Sequence, residues 1–252
     1  MKLWIKTYWK TLLFFVVCAI VGGFFVGLYA LDSYPEWIRQ QAMDQLGSRA
    51  VLGLVTAVQS VGYALFCGVI GIILGKKVGL WKDERHFEKK PLQITLLVAL
   101  AGGVGIILPD LLIFGKYSQA ILDSYAVKPS LDLILGSVIY GGVIEEVMLR
   151  LFFLSLVAFL LNLIFGKRGE LPSEKILVVA NVIAALLFAA GHLPVTILTI
   201  GLSPMILVRC FLLNGGFGLA FGWLYRKHGL RYAMIAHAGC HVVSKLIWIL
   251  FI

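Results

Sequence analysis

The sequence predicts an all-α fold, a polytopic transmembrane helical bundle of roughly seven or eight spans. Three observations carry this. Hydrophobic residues make up 60% of the 252-residue chain and charged residues only 14%. The mean hydropathy is +0.95, which does not describe a soluble domain. The apolar residues also come in runs of about 20, the length that crosses a hydrocarbon core. Short stretches between the runs hold most of the charge, and neither an internal repeat nor a low-complexity linker divides the chain. Residues 1–252 therefore read as one integral membrane domain, with membrane lipid as the main solvent.

Lys2, Lys6 and Lys10 precede the first run, Thr11 to Leu31. A secretory h-region has about 7–15 residues and a small-residue cleavage site after it; this run is longer and reads as a span. Residues 32–49 mix both charge signs with Pro35, Trp37 and Ile38, as a loop or short helix at the interface does. The second span covers about Ala50 to Leu74. The following connection holds Lys76, Lys77, Lys82, Arg85, Lys89 and Lys90 against Asp83, Glu84 and Glu88, so the positive-inside rule makes it cytoplasmic. A third span runs from about Leu92 to Phe114, and the sparsely charged loop with Lys116, Asp123 and Lys128 falls outside.

Leu131 to Phe165 is too long for one untilted span. It fits a long tilted helix, a broken one, or a short entering segment followed by a helix beginning near Gly141-Gly142. Lys167, Arg168 and Lys175 return the chain to the cytoplasmic side, and Ile176 to Gly191 gives a short fifth span. Pro194, Gly201 and Pro204 interrupt before the run from about Met205 to Tyr225; Arg226, Lys227, His228 and Arg231 form another basic turn before the last span, about Tyr232 to Ile252. This gives seven spans with a cytoplasmic N-terminus, and an eighth if the region 131–165 divides.

The net charge of +9 sits in the short segments between apolar runs. That is how a polytopic protein records its orientation, not how a nucleic-acid surface is built. The cysteines, Cys18, Cys67, Cys210 and Cys240, all lie in apolar stretches without paired metal-ligand spacing, which argues against a disulfide framework.

One stretch departs from the apolar pattern. Gly141-Gly142-Val143-Ile144-Glu145-Glu146-Val147-Met148-Leu149-Arg150 sets two carboxylates and a guanidinium inside a run that could otherwise dissolve in lipid. Charge at that depth costs a few kcal/mol or more unless paired or hydrated, and reads by default as function. Glu146 and Arg150 are four apart with the acid first, the better order for an intrahelical ion pair. Glu145 is turned about 100° away and is the carboxylate left over, with the two glycines one turn back leaving room for water or a peptide. Taken alone, the cluster reads equally well as a polar clamp between helices.

Of the five histidines, His86 and His228 lie in basic loops. His192 follows Phe188 by four, between Gly191 and Pro194; His237 and His241 stand one turn apart in the last span with Ala238 and Gly239 between them. Cys240 beside them could be a thiol nucleophile, but reads as a small core residue.

Glu145-Glu146-x-x-x-Arg150, Phe188-x-x-x-His192 and His237-x-x-x-His241, in this order on separate apolar segments, resemble the CPBP family of intramembrane proteases. That family includes CAAX prenyl-protein endopeptidases and bacteriocin-processing enzymes. The resemblance covers about Gly141 to Ser244, within a protease-like core of about 131–252. It implies an endopeptidase that cuts a membrane-associated or prenylated protein or peptide without a cofactor. Glu145 would be the general base, acting with His192 on a water molecule, while Glu146 and Arg150 orient it.

The family's third motif usually reads His-x-x-x-Asn, two side chains that stabilise the oxyanion, and here His241 replaces the Asn. A neutral imidazole still donates one hydrogen bond, so His237 and His241 are expected to serve as that pair, a role worth about 3–4 kcal/mol per donor. Two alternatives stay open. His192, His237 and His241 could ligate zinc and leave a position for water, or the polar cluster could serve a non-catalytic immunity or binding protein, or a transporter. The compact chain points to a bacterial cell membrane.

Overall fold

A computed structural model describes residues 2–82 and 86–252. Among these there is no strand, and seven helices are long and apolar enough to cross a membrane. We number the helices α1 (Lys2–Ser33), α2 (Glu36–Leu46), α3 (Arg49–Lys77), α4 (Lys89–Leu112), α5 (Gln119–Ala126), α6 (Leu131–Phe165), α7 (Glu174–Gly191), α8 (Leu193–Thr199), α9 (Pro204–His228) and α10 (Leu230–Phe251). The all-α polytopic bundle expected from composition is what forms. Asp83, Glu84 and Arg85 of the basic connection lie outside the described residues.

Local chemistry sets several helix starts. The hydroxyls of Ser48, Ser130, Ser173 and Ser203 accept the backbone N–H of Val51, Leu133, Ile176 and Ile206 at the heads of α3, α6, α7 and α9. Such a cap satisfies one of the donors a helix leaves unpaired, which matters most near lipid. The interfacial segment 32–49 contains α2, in which no residue is buried.

Residues 131–165 form one continuous helix, so the count is seven spans and the eighth is not made. At 1.5 Å per residue, 35 residues exceed the roughly 30 Å of a hydrocarbon core. Part of the excess is taken up by wide turns: Gly136–Glu145 and Val147–Leu154 hydrogen-bond i→i+5 instead of i→i+4. The fifth span also differs from its expected end. Pro194 falls in the first turn of α8, where its missing N–H costs nothing, so the helical path continues to Thr199 and turns only at Gly201, whose φ is +96°.

Helices in lipid gain little from apolar burial alone and instead pack through small residues that bring backbones close. A Cβ on Gly27 of α1 would stand 2.7 Å from Thr56 Oγ1 of α3, and one on Gly142 of α6 would stand 2.6 Å from the Ala238 Cβ of α10. The second contact seams the helix bearing the glutamates to the helix bearing two histidines. A shared core including Phe15, Ile72, Ile144, Leu151, Phe221 and Tyr225 fills the interior, while Leu54, Val58, Leu97, Leu163 and Ile164 are exposed on the outside.

A second, smaller core joins Ile107, Phe114, Ile121, Tyr125 and Ile206 at the end of the bundle remote from the basic loops. It encloses a polar network. Arg209 donates through Nε and Nη2 to the two oxygens of the fully buried Asp110, both at 2.5 Å, and Tyr125 Oη–H donates to Asp110 Oδ2 at 3.0 Å. Trp248 Nε1 in turn donates to the Tyr125 carbonyl at 3.1 Å.

Candidate active site

The wide turns of α6 carry Gly141, Glu145, Glu146 and Arg150. Turns of this kind are uncommon and concentrate at functional sites. Here they deliver Glu146 to a fully enclosed position, with Arg150 Nη1 at 3.1 Å from its Oε1 and His237 Nδ1 at 2.8 Å from the same oxygen. An ionised carboxylate only accepts, so Nδ1–H of His237 is the donor. Arg150 lies against the faces of Phe188 and Phe221, 4.5 and 5.5 Å from their centroids, and donates to the Gly218 carbonyl. Glu146 is thus an orienting group for a histidine as well as the partner of Arg150.

Glu145 faces the other way. Its side chain keeps 23% of its accessible surface, and Oε2 lies 3.8 Å from His237 Nε2. It borders a cavity of about 390 Å³ whose lining also includes Gly141, His192, His237 and His241. All four candidate polar residues therefore open on one space. Among the residues lining it, Glu145 is the only carboxylate.

The two histidines of α10 stack on each other with ring centroids 5.1 Å apart, and His237 stacks on Phe221 at 4.5 Å. Gly141 is the reason they fit. A Cβ there would meet His241 Nε2 at 2.9 Å and His237 Nε2 at 3.5 Å, so both Nε2 atoms border space that only glycine leaves open. Nδ1 of His241 is buried and has no hydrogen-bond partner, as is Oε2 of Glu146.

His192 stands apart. Its Nδ1 is bonded to the Phe188 carbonyl at 2.8 Å, which makes Nδ1 the protonated nitrogen and leaves the lone pair on Nε2. The Phe188 ring packs edge-on against both His192 and His237, with centroids 4.7 and 5.8 Å away. Straight spans would separate these histidines by depth, since His192 follows the last residue of α7 while His237 is in the second turn of α10. The cavity bridges that difference. Among the described residues no three His, Cys, Asp or Glu side chains are arranged to hold a metal ion. Cys240 donates its S–H to the Val98 carbonyl, as a packing residue would.

Sequence reasoning passed over three intramembrane charges. Asp110, Arg209 and Lys245 each sit in a spanning helix, and Arg209 and Lys245 line the site cavity. The signal was present: a charge inside an apolar run, the same mark that singled out Glu145. Lys245 also continues the spacing of His237 and His241 by one further turn. Tyr29 and Tyr140 line the cavity as well, but aromatic residues in a span carry no comparable mark.

Residues 128–243, which include every residue of the three motifs, match the family described as Type II CAAX prenyl endopeptidase Rce1-like. This region is similar to an Rce1-like protease domain, which agrees with the resemblance to CPBP proteases and supports an intramembrane endopeptidase in general. The Rce1-like region begins just before α6, so α1 to α5 lie outside it. No curated protein and no solved structure matches the chain.

Proposed function

We propose that the chain is a glutamate-type intramembrane endopeptidase in which Glu145 is the general base. The observation that carries this is the division of labour between adjacent carboxylates: Glu146 is enclosed and committed to Arg150 and His237, while Glu145 is the one carboxylate bordering the cavity. Glu145 takes a proton from water as the water oxygen attacks the scissile carbonyl carbon, then returns it to the leaving amine. General acid–base catalysis of this kind contributes about 10²–10⁴-fold. His192 accepts a hydrogen bond from the same water through its free Nε2.

His237 and His241 receive the oxyanion. His237 gives its Nδ1–H to Glu146 and turns its Nε2 toward Glu145 and the cavity. His241 donates from Nε2 beside Gly141. Zinc ligation by His192, His237 and His241 is less favoured, since among the described residues these side chains are not arranged to hold a metal ion.

The substrate in this reading is a membrane-associated peptide with a free C-terminal carboxylate. Lys245 gives one part of the cavity wall positive charge, whereas Arg209 there is neutralised by Asp110, and a substrate carboxylate paired with Lys245 would set the peptide bonds upstream of it toward Glu145. A prenylated or otherwise lipid-held tail satisfies this chemistry. The basic loops support a cytoplasmic N-terminus. The test is cleavage of a farnesylated peptide in membranes by the wild-type chain and by Glu145→Gln. Equal turnover by the two would overturn the role of Glu145. A cellular phenotype kept by inactive variants would favour the binding, immunity or transport reading.

A further inference from the structure

A second cavity is larger than the one that holds Glu145. A space of about 860 Å³ lies at the basic end of the bundle, between the first turns of α1, the start of α10 and the residues flanking the first basic connection. It is within the size range of ligand pockets, about 300–1,000 Å³. Part of its wall is apolar, with Phe14, Phe15, Ile235 and Ala238 on it. Its mouth is cationic: Lys10, Lys82 and Arg231 border it, and none of the described lining residues is acidic.

Arg231 is the unusual member. Its guanidinium lies over the Phe87 ring at 4.8 Å, yet Nη2 is buried and has no hydrogen-bond partner. An orphaned guanidinium nitrogen enclosed beside apolar space is costly unless an acceptor arrives. Lys82, by contrast, donates to the Lys227 carbonyl.

We propose that this cavity is a binding site for one anionic phospholipid. The acyl chains lie along the apolar wall, and the phosphate accepts hydrogen bonds from Arg231 and Lys10. The chemistry fits the position, because basic residues at the edge of a membrane span face the headgroup layer and attract anionic lipid. The site also has a structural consequence. Val143 and Ala238 line this cavity, while Gly141, Glu145, His237 and His241 line the other. The two cavities are therefore back to back across the Gly142–Ala238 seam, and a lipid in one braces the wall of the other.

The experiment is lipid binding without any peptide substrate, so its outcome is independent of whether the chain cleaves peptides. Full-length protein, delipidated in detergent, is titrated with phosphatidylglycerol and with phosphatidylcholine, and bound lipid is counted by native mass spectrometry. One phosphatidylglycerol binds in preference to phosphatidylcholine. Arg231→Gln lowers that preference by about fivefold, the effect of one cation near a headgroup. Ile235→Trp fills the cavity without changing charge and abolishes the site, whereas Lys6→Gln, an exposed cation on the same face that does not line it, changes nothing.

Equal affinity for the two lipids overturns the proposal. So does an equal loss from Lys6→Gln and Arg231→Gln, which would mean diffuse surface attraction. In a separate competition, stoichiometric displacement of bound phosphatidylglycerol by a farnesylated peptide overturns it as well, because the cavity would then belong to the substrate.

Discussion

Glu146 ties the catalytic proposal to the stability of the bundle, and Glu146→Gln separates the two. The wild-type carboxylate neutralises Arg150 and accepts from His237 through one oxygen, with side-chain exposures of 0% for Glu146, 2% for Arg150 and 6% for His237. Solvent screening is negligible at such burial, and removing one partner of a buried pair costs about 3–5 kcal/mol because the other charge is left uncompensated. The amide of Gln keeps the shape and accepts the Nδ1–H of His237, so the expected loss lies toward the lower end, about 3 kcal/mol. Adding Arg150→Met removes the stranded charge and restores most of that loss, a coupling that a double-mutant cycle reads directly. Thermal unfolding in lipid nanodiscs measures the stability, and peptide cleavage measures the function. Stability recovers in the double variant and activity does not, because His237 has lost the carboxylate that held its ring. A Glu146→Gln protein as stable as wild type would refute the reasoning, as would a double variant no more stable than the single.

Further outcomes follow from the same geometry. His241→Ala lowers the turnover number by about 10²–10³, the loss of one oxyanion donor, while His241→Asn keeps a donor and retains activity within about tenfold; steady-state kinetics on one peptide compares them. Gly141→Ala places a methyl 2.9 Å from His241 Nε2 and reduces cleavage with little change in unfolding temperature. Gly142→Ala meets the Ala238 backbone at 2.9 Å and lowers the unfolding temperature. Asp110→Ala strands the guanidinium of Arg209 and costs about 3–5 kcal/mol, read by thermal unfolding. Lys245→Met raises KM for a peptide with a free C-terminal carboxylate and leaves KM for its amidated counterpart unchanged. Thorough chelation leaves the turnover of wild-type protein as it was, whereas loss with restoration by zinc would revive the metal reading.

The bundle was legible because its determinants are local. A run of apolar residues bounded by lysines and arginines needs no partner to be recognised, and the serines at 48, 130, 173 and 203 mark helix starts that the chain can make by itself. Spacing likewise separated Glu145 from the Glu146–Arg150 pair. What spacing could not supply was the second partner of Glu146, since His237 is 91 residues away. The wide turns of α6 were also hidden, because i→i+5 bonding leaves no residue signature comparable to a cap. The division of 131–165 into two spans failed as an option for that reason: the Gly141-Gly142 pair reads as a break, yet its function in the fold is close approach to His241 and Ala238. Asp110, Arg209 and Lys245 were readable as charges in apolar runs, but only their three-dimensional arrangement separates the Asp110–Arg209 clamp from the cation Lys245 on the cavity wall.

The central claim is that Glu145 moves the proton of the attacking water. The measurement closest to it is single-turnover cleavage of a farnesylated peptide by wild type, Glu145→Gln and Glu145→Asp in the same membranes, with unfolding temperature recorded for each. Glu145→Gln should fold like wild type and lose about 10²–10⁴-fold in rate, and Glu145→Asp should keep a measurable part of it. Wild-type cleavage by a well-folded Glu145→Gln protein would contradict the account.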